Sequence, residues 1–283
     1  MRPWAGMLAL APFAWGGCSV ERATAVELGG STVAEGGGSG VDASTDGPDG
    51  GPDSSPDVAV VADAVAVSPA CTQPAFVTSS PSGIWSNGGY YVFNNVWNTG
   101  AGPGPQILYA CSYHSFYVVS DQADDAGAVE SYPNVQMNFS DVPITSLHGI
   151  TSRFVESGPG VGIYEFAYDV WLNGVAQSGS VQVLVWVDNF NRVPDGTKAA
   201  STTLGGRAYD VWVTPDGLHV VFDSTTAWTS GTVDLLGILQ WTVGQGWLPA
   251  SSTLGQIDFG VEIVSTGGAS ATYAVDDFSL ATN

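Results

Sequence analysis

Between residues 162 and 172 apolar and polar side chains alternate with a period of two, placing Tyr164, Phe166, Tyr168 and Val170 on one face and Glu165, Ala167, Asp169 and Trp171 on the other. Residues 180–188 repeat the pattern, with valines 181, 183, 185 and 187 opposite Gln182, Leu184, Trp186 and Asp188. Residues 255–264 set Ile257, Phe259, Val261 and Ile263 against Gln256, Asp258, Gly260 and Glu262. Each segment reads as a strand with one apolar side and one side mixing acids, amides and tryptophans. Similar short runs predict strands over 90–96, 115–120, 135–139, 207–213, 218–223 and 272–280. Turn signals such as Ser86-Asn87-Gly88-Gly89 and Thr214-Pro215-Asp216-Gly217 separate them. Residues 233–246 suit a short helix or turn packed on one sheet, and no internal repeat is evident. The pattern predicts an all-β sandwich of two antiparallel sheets, the outer one curving into an open cleft.

Composition narrows the choice of partner. Among 283 residues, 6 Lys+Arg stand against 27 Asp+Glu, for a net charge of -21, so a nucleic acid or an anionic membrane surface would be repelled. A neutral partner fits better. A face of tryptophans, acids and amides suits sugars, whose ring faces stack on aromatics while their hydroxyls meet polar groups. His114, His148 and His219 are scattered without ligand spacing, and no serine elbow is present, so neither a metal site, a cofactor nor a hydrolase triad is expected.

The first 70 residues have a different character. One arginine, an apolar run and small residues before Cys18 form the layout of a signal peptide over 1–17. Gly16-Gly17-Cys18 resembles the lipobox of bacterial lipoproteins, with Trp15 departing from it, and implies a lipid on Cys18. Residues 18–70, rich in Gly, Ser, Pro and Asp, bury too little apolar surface to offset their ordering entropy and read as a disordered linker. The expectation is an exported protein, a bacterial outer-membrane or cell-surface lipoprotein or else a secreted one, touching a membrane only through its anchor. The folded domain would span 71–283 and act as a monomer. With Cys18 lipidated, Cys71 and Cys111 remain to pair in an oxidising compartment, or to stay as two buried thiols.

Within 71–283 several stretches resemble glycoside hydrolase family 12, the endo-β-1,4-glucanases and xyloglucanases with a jelly-roll fold. Cys71, then Gly89-Tyr90-Tyr91-Val92-Phe93-Asn94-Asn95-Val96-Trp97, then Cys111 is similar to that family's N-terminal disulfide around a G-Y-x-V-x-N-N-x-W strand. Ser131-Tyr132-Pro133-Asn134 looks like its K-S-Y-P-N segment, with Glu130 at the lysine. Ala167-Tyr168-Asp169-Val170-Trp171-Leu172 resembles A-Y-D-L-F-L, and Gly260-Val261-Glu262 resembles the G-T-E that carries the acid/base. The nucleophile strand E-x-M-x-W aligns with Gln182, Leu184 and Trp186, so an amide stands where the family has a carboxylate.

What the resemblance implies is therefore divided. It assigns Glu262 as acid/base, Gln182 as the substituted nucleophile and Asp169 as an assisting carboxylate, with Trp97, Asn95, Trp186 and Leu184 contacting a β-glucan or xyloglucan chain. In the acid/base role Glu262 would have its pKa raised by an apolar setting or by a neighbouring acid such as Asp258. Retaining hydrolysis needs two carboxyl groups about 5–5.5 Å apart. A neutral amide is a poor nucleophile, and by the precedent of nucleophile removal the loss is on the order of 10⁶ in rate, roughly 8 kcal/mol. Asp188 lies roughly 20 Å along the strand from Gln182, and Glu165 about 13 Å from Asp169, so neither substitutes easily. Asp169 does if it lies about 6.5–9.5 Å from Glu262, which would permit inversion through water. Three readings follow: a glycan-binding protein with hydrolysis impaired or lost, an active endoglucanase using Asp169, and an adhesion lipoprotein without a sugar ligand.

Overall fold

The computed structural model describes residues 70–97, 104–123 and 127–283. The leader over 1–17, Cys18 and, apart from Ala70, the linker over 18–70 lie outside the described residues. In chain order the strands are β1 (Phe76–Thr78), β2 (Ile84–Asn87), β3 (Tyr90–Phe93), β4 (Gln106–Ser112), β5 (Ser115–Ser120), β6 (Asn134–Pro143), β7 (Ile150–Ser157) and β8 (Ile163–Leu172). There follow β9 (Val181–Phe190), β10 (Thr197–Leu204), β11 (Arg207–Val213), β12 (His219–Ser224), β13 (Ser230–Asp234), β14 (Thr253–Ser265) and β15 (Ala271–Thr282), with a helix, α1 (Leu235–Gly244), before β14. They form a six-stranded sheet, β1-β4-β5-β15-β7-β13, and a nine-stranded sheet, β10-β11-β12-β9-β8-β14-β6-β3-β2. The two sheets make the predicted sandwich.

Alternation decides what lies between them. The aromatic side of β8, the valines of β9 and the isoleucine side of β14 join Leu108, Phe116, Phe154, Tyr273 and Phe278 of the other sheet in one buried core. Burying each such side chain stabilises the fold by about 1.5–3 kcal/mol. The expected strand over 90–96 ends at Phe93, because Asn95 takes a left-handed φ of 45°; Val96 then rejoins the sheet as a single bridge to Ser131. The expected helix forms, its first turn capped by the Asp234 carboxylate accepting from the Gly237 N–H. Cys71 and Cys111 are bonded, which excludes the free-thiol reading. Closing a loop of 40 residues removes roughly 4 kcal/mol of unfolded-chain entropy.

Two departures from simple alternation shape the site. First, Ala167 pairs with Trp186 but Phe166 pairs with Asp188, so Val187 is an extra residue, a bulge. Beyond it the faces exchange: Asp188 turns with Phe166 toward the sandwich interior, within electrostatic range of Tyr164 and Glu156, and Asn189 takes the outer face opposite Glu165. The sequence pattern had placed Asp188 outside. Second, β12 pairs with β9 in parallel, while β11 is antiparallel to both β12 and β10. Strand β10 thus runs in the direction of β9, and the connection 191–196 must double back along the sheet to reach its start.

Candidate active site

The outer face of the nine-stranded sheet carries the residues the pattern set apart. Asp169 on β8 lies opposite Leu184 on β9 and Asp258 on β14, while Gln182 lies two residues further along on the same face, opposite Trp171. That diagonal lets the Gln182 side-chain N–H donate to Asp169 Oδ2 at 2.5 Å. Trp171 lies beside both Asp169 and Asp258 and favours their charged forms. Each carboxyl nonetheless keeps a buried Oδ1 with no protein hydrogen-bond partner. Burial pushes the Asp169 carboxyl well above the ordinary range, against the Gln182 hydrogen bond, with the charge of Glu262 adding to the rise and Trp171 opposing it. Burial and then the charge of Asp169 raise Asp258 in the same way. Two buried acids side by side cannot both ionise cheaply, so burial and their mutual repulsion favour the neutral form at this pair.

Glu262 belongs to a second cluster. It lies opposite Glu165, not beside Asp258, which is four residues back along its own strand; the acid neighbour named from sequence is thereby corrected. Glu165 is wholly buried and lies beside Glu262. Arg192, from the connection after β9, brings Nε to 3.3 Å from Glu165 and Nη2 to 4.0 Å from Glu262. Burial, followed by the charge of Glu262, raises the Glu165 carboxyl well above its usual value, and Arg192 only partly offsets this. The pairing shows Glu262 six residues of register away from Gln182 along the strands. The two clusters are electrostatically joined: the buried Tyr132 phenol, which donates to the Ala167 carbonyl, lies within range of the charges of Asp169, Asp258, Glu262 and Glu165. Neither Arg192 nor the Glu165–Glu262 pairing was found from sequence. A loop arginine has no periodic signal, and a pairing between strands so far apart in sequence is fixed only by register.

The aromatic positions divide. Trp186 faces outward but is 2% exposed, packed with Ala167, Leu184, Val221 and Trp212 and covered by the Arg192 guanidinium, whose centre is 5.9 Å from the ring. Leu184 is buried in the same cluster. Asn95 and Trp97 are half-buried in the segment after β3, where the Asn95 carbonyl accepts from Tyr132 N–H and the Trp97 N–H donates to the Glu130 carbonyl. Ser131 in turn bridges Ile263, so this segment runs beside the Glu262 end of the site. His219, absent from the sequence-based site, lies opposite Gln182 on β12 with its side chain half-buried. Among the described residues no group of three or more His, Cys, Asp or Glu side chains is placed to hold a metal ion.

A two-sheet sandwich with carboxyl groups and tryptophans on the outer face of its larger sheet defines the class of β-sandwich glycoside hydrolases. Within that class the chain belongs to Glycosyl hydrolase family 12, whose sequence profile matches residues 88–283. It is similar to Endoglucanase A of Aspergillus kawachii, 25% identical over an alignment 232 residues long that covers 75% of this chain and 92% of that protein. It is also 24% identical, over 69% of this chain and 87% of that protein, to the Inactive glycoside hydrolase XLP1 of Phytophthora nicotianae. The xyloglucanase domain of NopAA, a type three effector from Sinorhizobium fredii solved with cellobiose, superposes with a TM-score of 0.63 at 26% identity, covering 75% of this chain and all of that one.

Proposed function

We propose that this protein binds β-1,4-glucan or xyloglucan chains on the outer face of its larger sheet and hydrolyses them very slowly or not at all. The observation that carries this reading is Gln182: its amide takes the nucleophile position of the family resemblance and donates to Asp169, so the position offers no negative charge to an anomeric carbon. The acids the described strands place beside that point, Asp169 and Asp258, are pushed by burial toward their neutral forms, in which a carboxyl group is a poor nucleophile. That one relative carries the name of an inactive glycoside hydrolase is consistent with a family member persisting without hydrolysis. The test is gel retardation in xyloglucan and barley β-glucan alongside a reducing-sugar assay. Binding without products is the predicted result, and rapid release of sugar overturns it.

The alternative, an active endoglucanase using Asp169 with Glu262, has in its favour that Asp169 feels the charge of Glu262. It requires activity that Asp169→Asn abolishes. A surface protein without a sugar ligand draws no support from the fold or the relatives. We further propose, on the leader-like residues 1–17 and the cysteine that follows, that the chain is exported, lipidated on Cys18 and works as a monomer held off the membrane by residues 18–70. Incorporation of labelled palmitate that Cys18→Ser abolishes is the expected outcome.

A further inference from the structure

Resting on the reading of the outer face as a glucan site, we propose that Arg192 is a specificity-determining residue: it occupies the ground over Trp186 that a sugar ring would take, and shortens the site at that end. Three independent features support it. Residues 191–196 must run back along the sheet, since β10 runs in the direction of β9, and within them Arg192 lies against Glu165, Glu262 and Trp186 of the outer face. The side chain is fixed at both ends. Its backbone is pinned by Asn189, whose side-chain oxygen accepts from Arg192 N–H and whose amide donates to the Arg192 carbonyl, and its guanidinium is held by Glu165 and Glu262. Lastly, Trp186 is 2% exposed and its indole N–H has no hydrogen-bond partner, so a ring of the kind that stacks on sugars is kept from any ligand by this one side chain above and by Leu184, Val221 and Trp212 around it.

The same contacts assign a role to Glu165. It is wholly buried, cannot reach a ligand itself, and supplies the shortest ion pair to Arg192. It is therefore a positioning residue for the arginine. Because Arg192 also reaches Glu262, closing the Trp186 end and engaging the acid/base candidate are a single event. A glucan chain then has the remaining part of the face, where Gln136 and Tyr91 continue the row of Asp258 and Trp171 lies opposite Gln182, and a chain long enough to reach Trp186 gains nothing from its extra rings.

Removing Arg192 alone leaves Glu165 buried and unpaired, so the variant used is the double substitution Arg192→Ala with Glu165→Gln, which removes cation and acid together. The full chain is labelled with 5-fluorotryptophan, the Trp186 resonance is assigned by its loss in Trp186→Phe, and its exposure is read from the shift between H2O and D2O. Affinity is measured for cellotetraose, cellohexaose and a xyloglucan heptasaccharide. In the natural chain the Trp186 resonance should be solvent-insensitive and affinity should level off with chain length. In the double variant the resonance should become solvent-sensitive and affinity for the longer ligands should rise about tenfold, with Trp186→Ala cancelling the gain. A resonance that does not move shows that Arg192 does not cover Trp186 and overturns the inference whatever the sugar result. Movement without a rise in affinity, in a protein that binds glucan, overturns the specificity role. Movement with no glucan bound by either protein overturns the glucan-site reading and the role that rests on it.

Discussion

At the scale of single residues, the arrangement around Gln182 and Asp169 predicts opposite consequences for two small changes. Gln182→Ala removes the donor and leaves a buried Asp169 oxygen unpaired, which should destabilise the domain by about 1–3 kcal/mol in denaturant unfolding. Gln182→Glu instead sets a carboxylate against a neighbour that burial pushes toward its neutral form. Asp169 can then donate to the new group, and any activity gained should decline as pH rises and that shared proton is lost. The pH profile of the variant tests this; activity that rises steadily with pH contradicts it. These positions were legible in the sequence because a strand transmits its faces faithfully as long as the count of residues is even. Asp188 was misplaced by one bulge, and Arg192 was invisible because a loop has no period to read.

At the scale of strands, alternation located β8, β9 and β14 and their neighbours but passed over β1, β2, β4, β7, β10 and β13. Strand β10 is an edge with a partner on one side only, and its Thr, Lys, Ala and Ser residues carry no apolar stripe. In β7 the inward positions are Ile150, Ser152, Phe154 and Glu156, so two polar residues interrupt the apolar pattern. Ser152 is accommodated by donating to the Ser279 carbonyl and accepting from the Tyr168 hydroxyl. Glu156 has no such compensation. Both its oxygens are buried without a hydrogen-bond partner, and burial, then the charges of Asp188 and Asp276, push its carboxyl up to about 9. The folded chain thus keeps a proton that the unfolded chain releases above its ordinary value of 4.5. Stability is full below that value and is lost as pH climbs toward 9, with a slope from this group of at most about 1.4 kcal/mol per pH unit. Glu156→Gln should flatten the decline between pH 5 and 9 in thermal unfolding; an unchanged slope would assign the decline elsewhere.

At the scale of the whole molecule, a net charge of -21 and an uncharged ligand make distinct predictions. Self-repulsion should ease with added salt, so the melting temperature should rise between 10 mM and 150 mM NaCl while affinity for glucan stays constant. Affinity that weakens steeply with salt would point to a charged partner. The disulfide between Cys71 and Cys111 ties the segment before β1 to β4, and its removal by paired serine substitutions should cost about 2–5 kcal/mol. The central claim, a family 12 fold that has kept its binding face and lost its nucleophile, is tested most directly by a reducing-sugar assay on xyloglucan and β-glucan with the natural chain and its Gln182→Glu variant side by side. The account predicts a silent natural chain and a variant that gains activity by about 10³-fold or more, and it is contradicted if the natural chain releases sugar as fast as the variant.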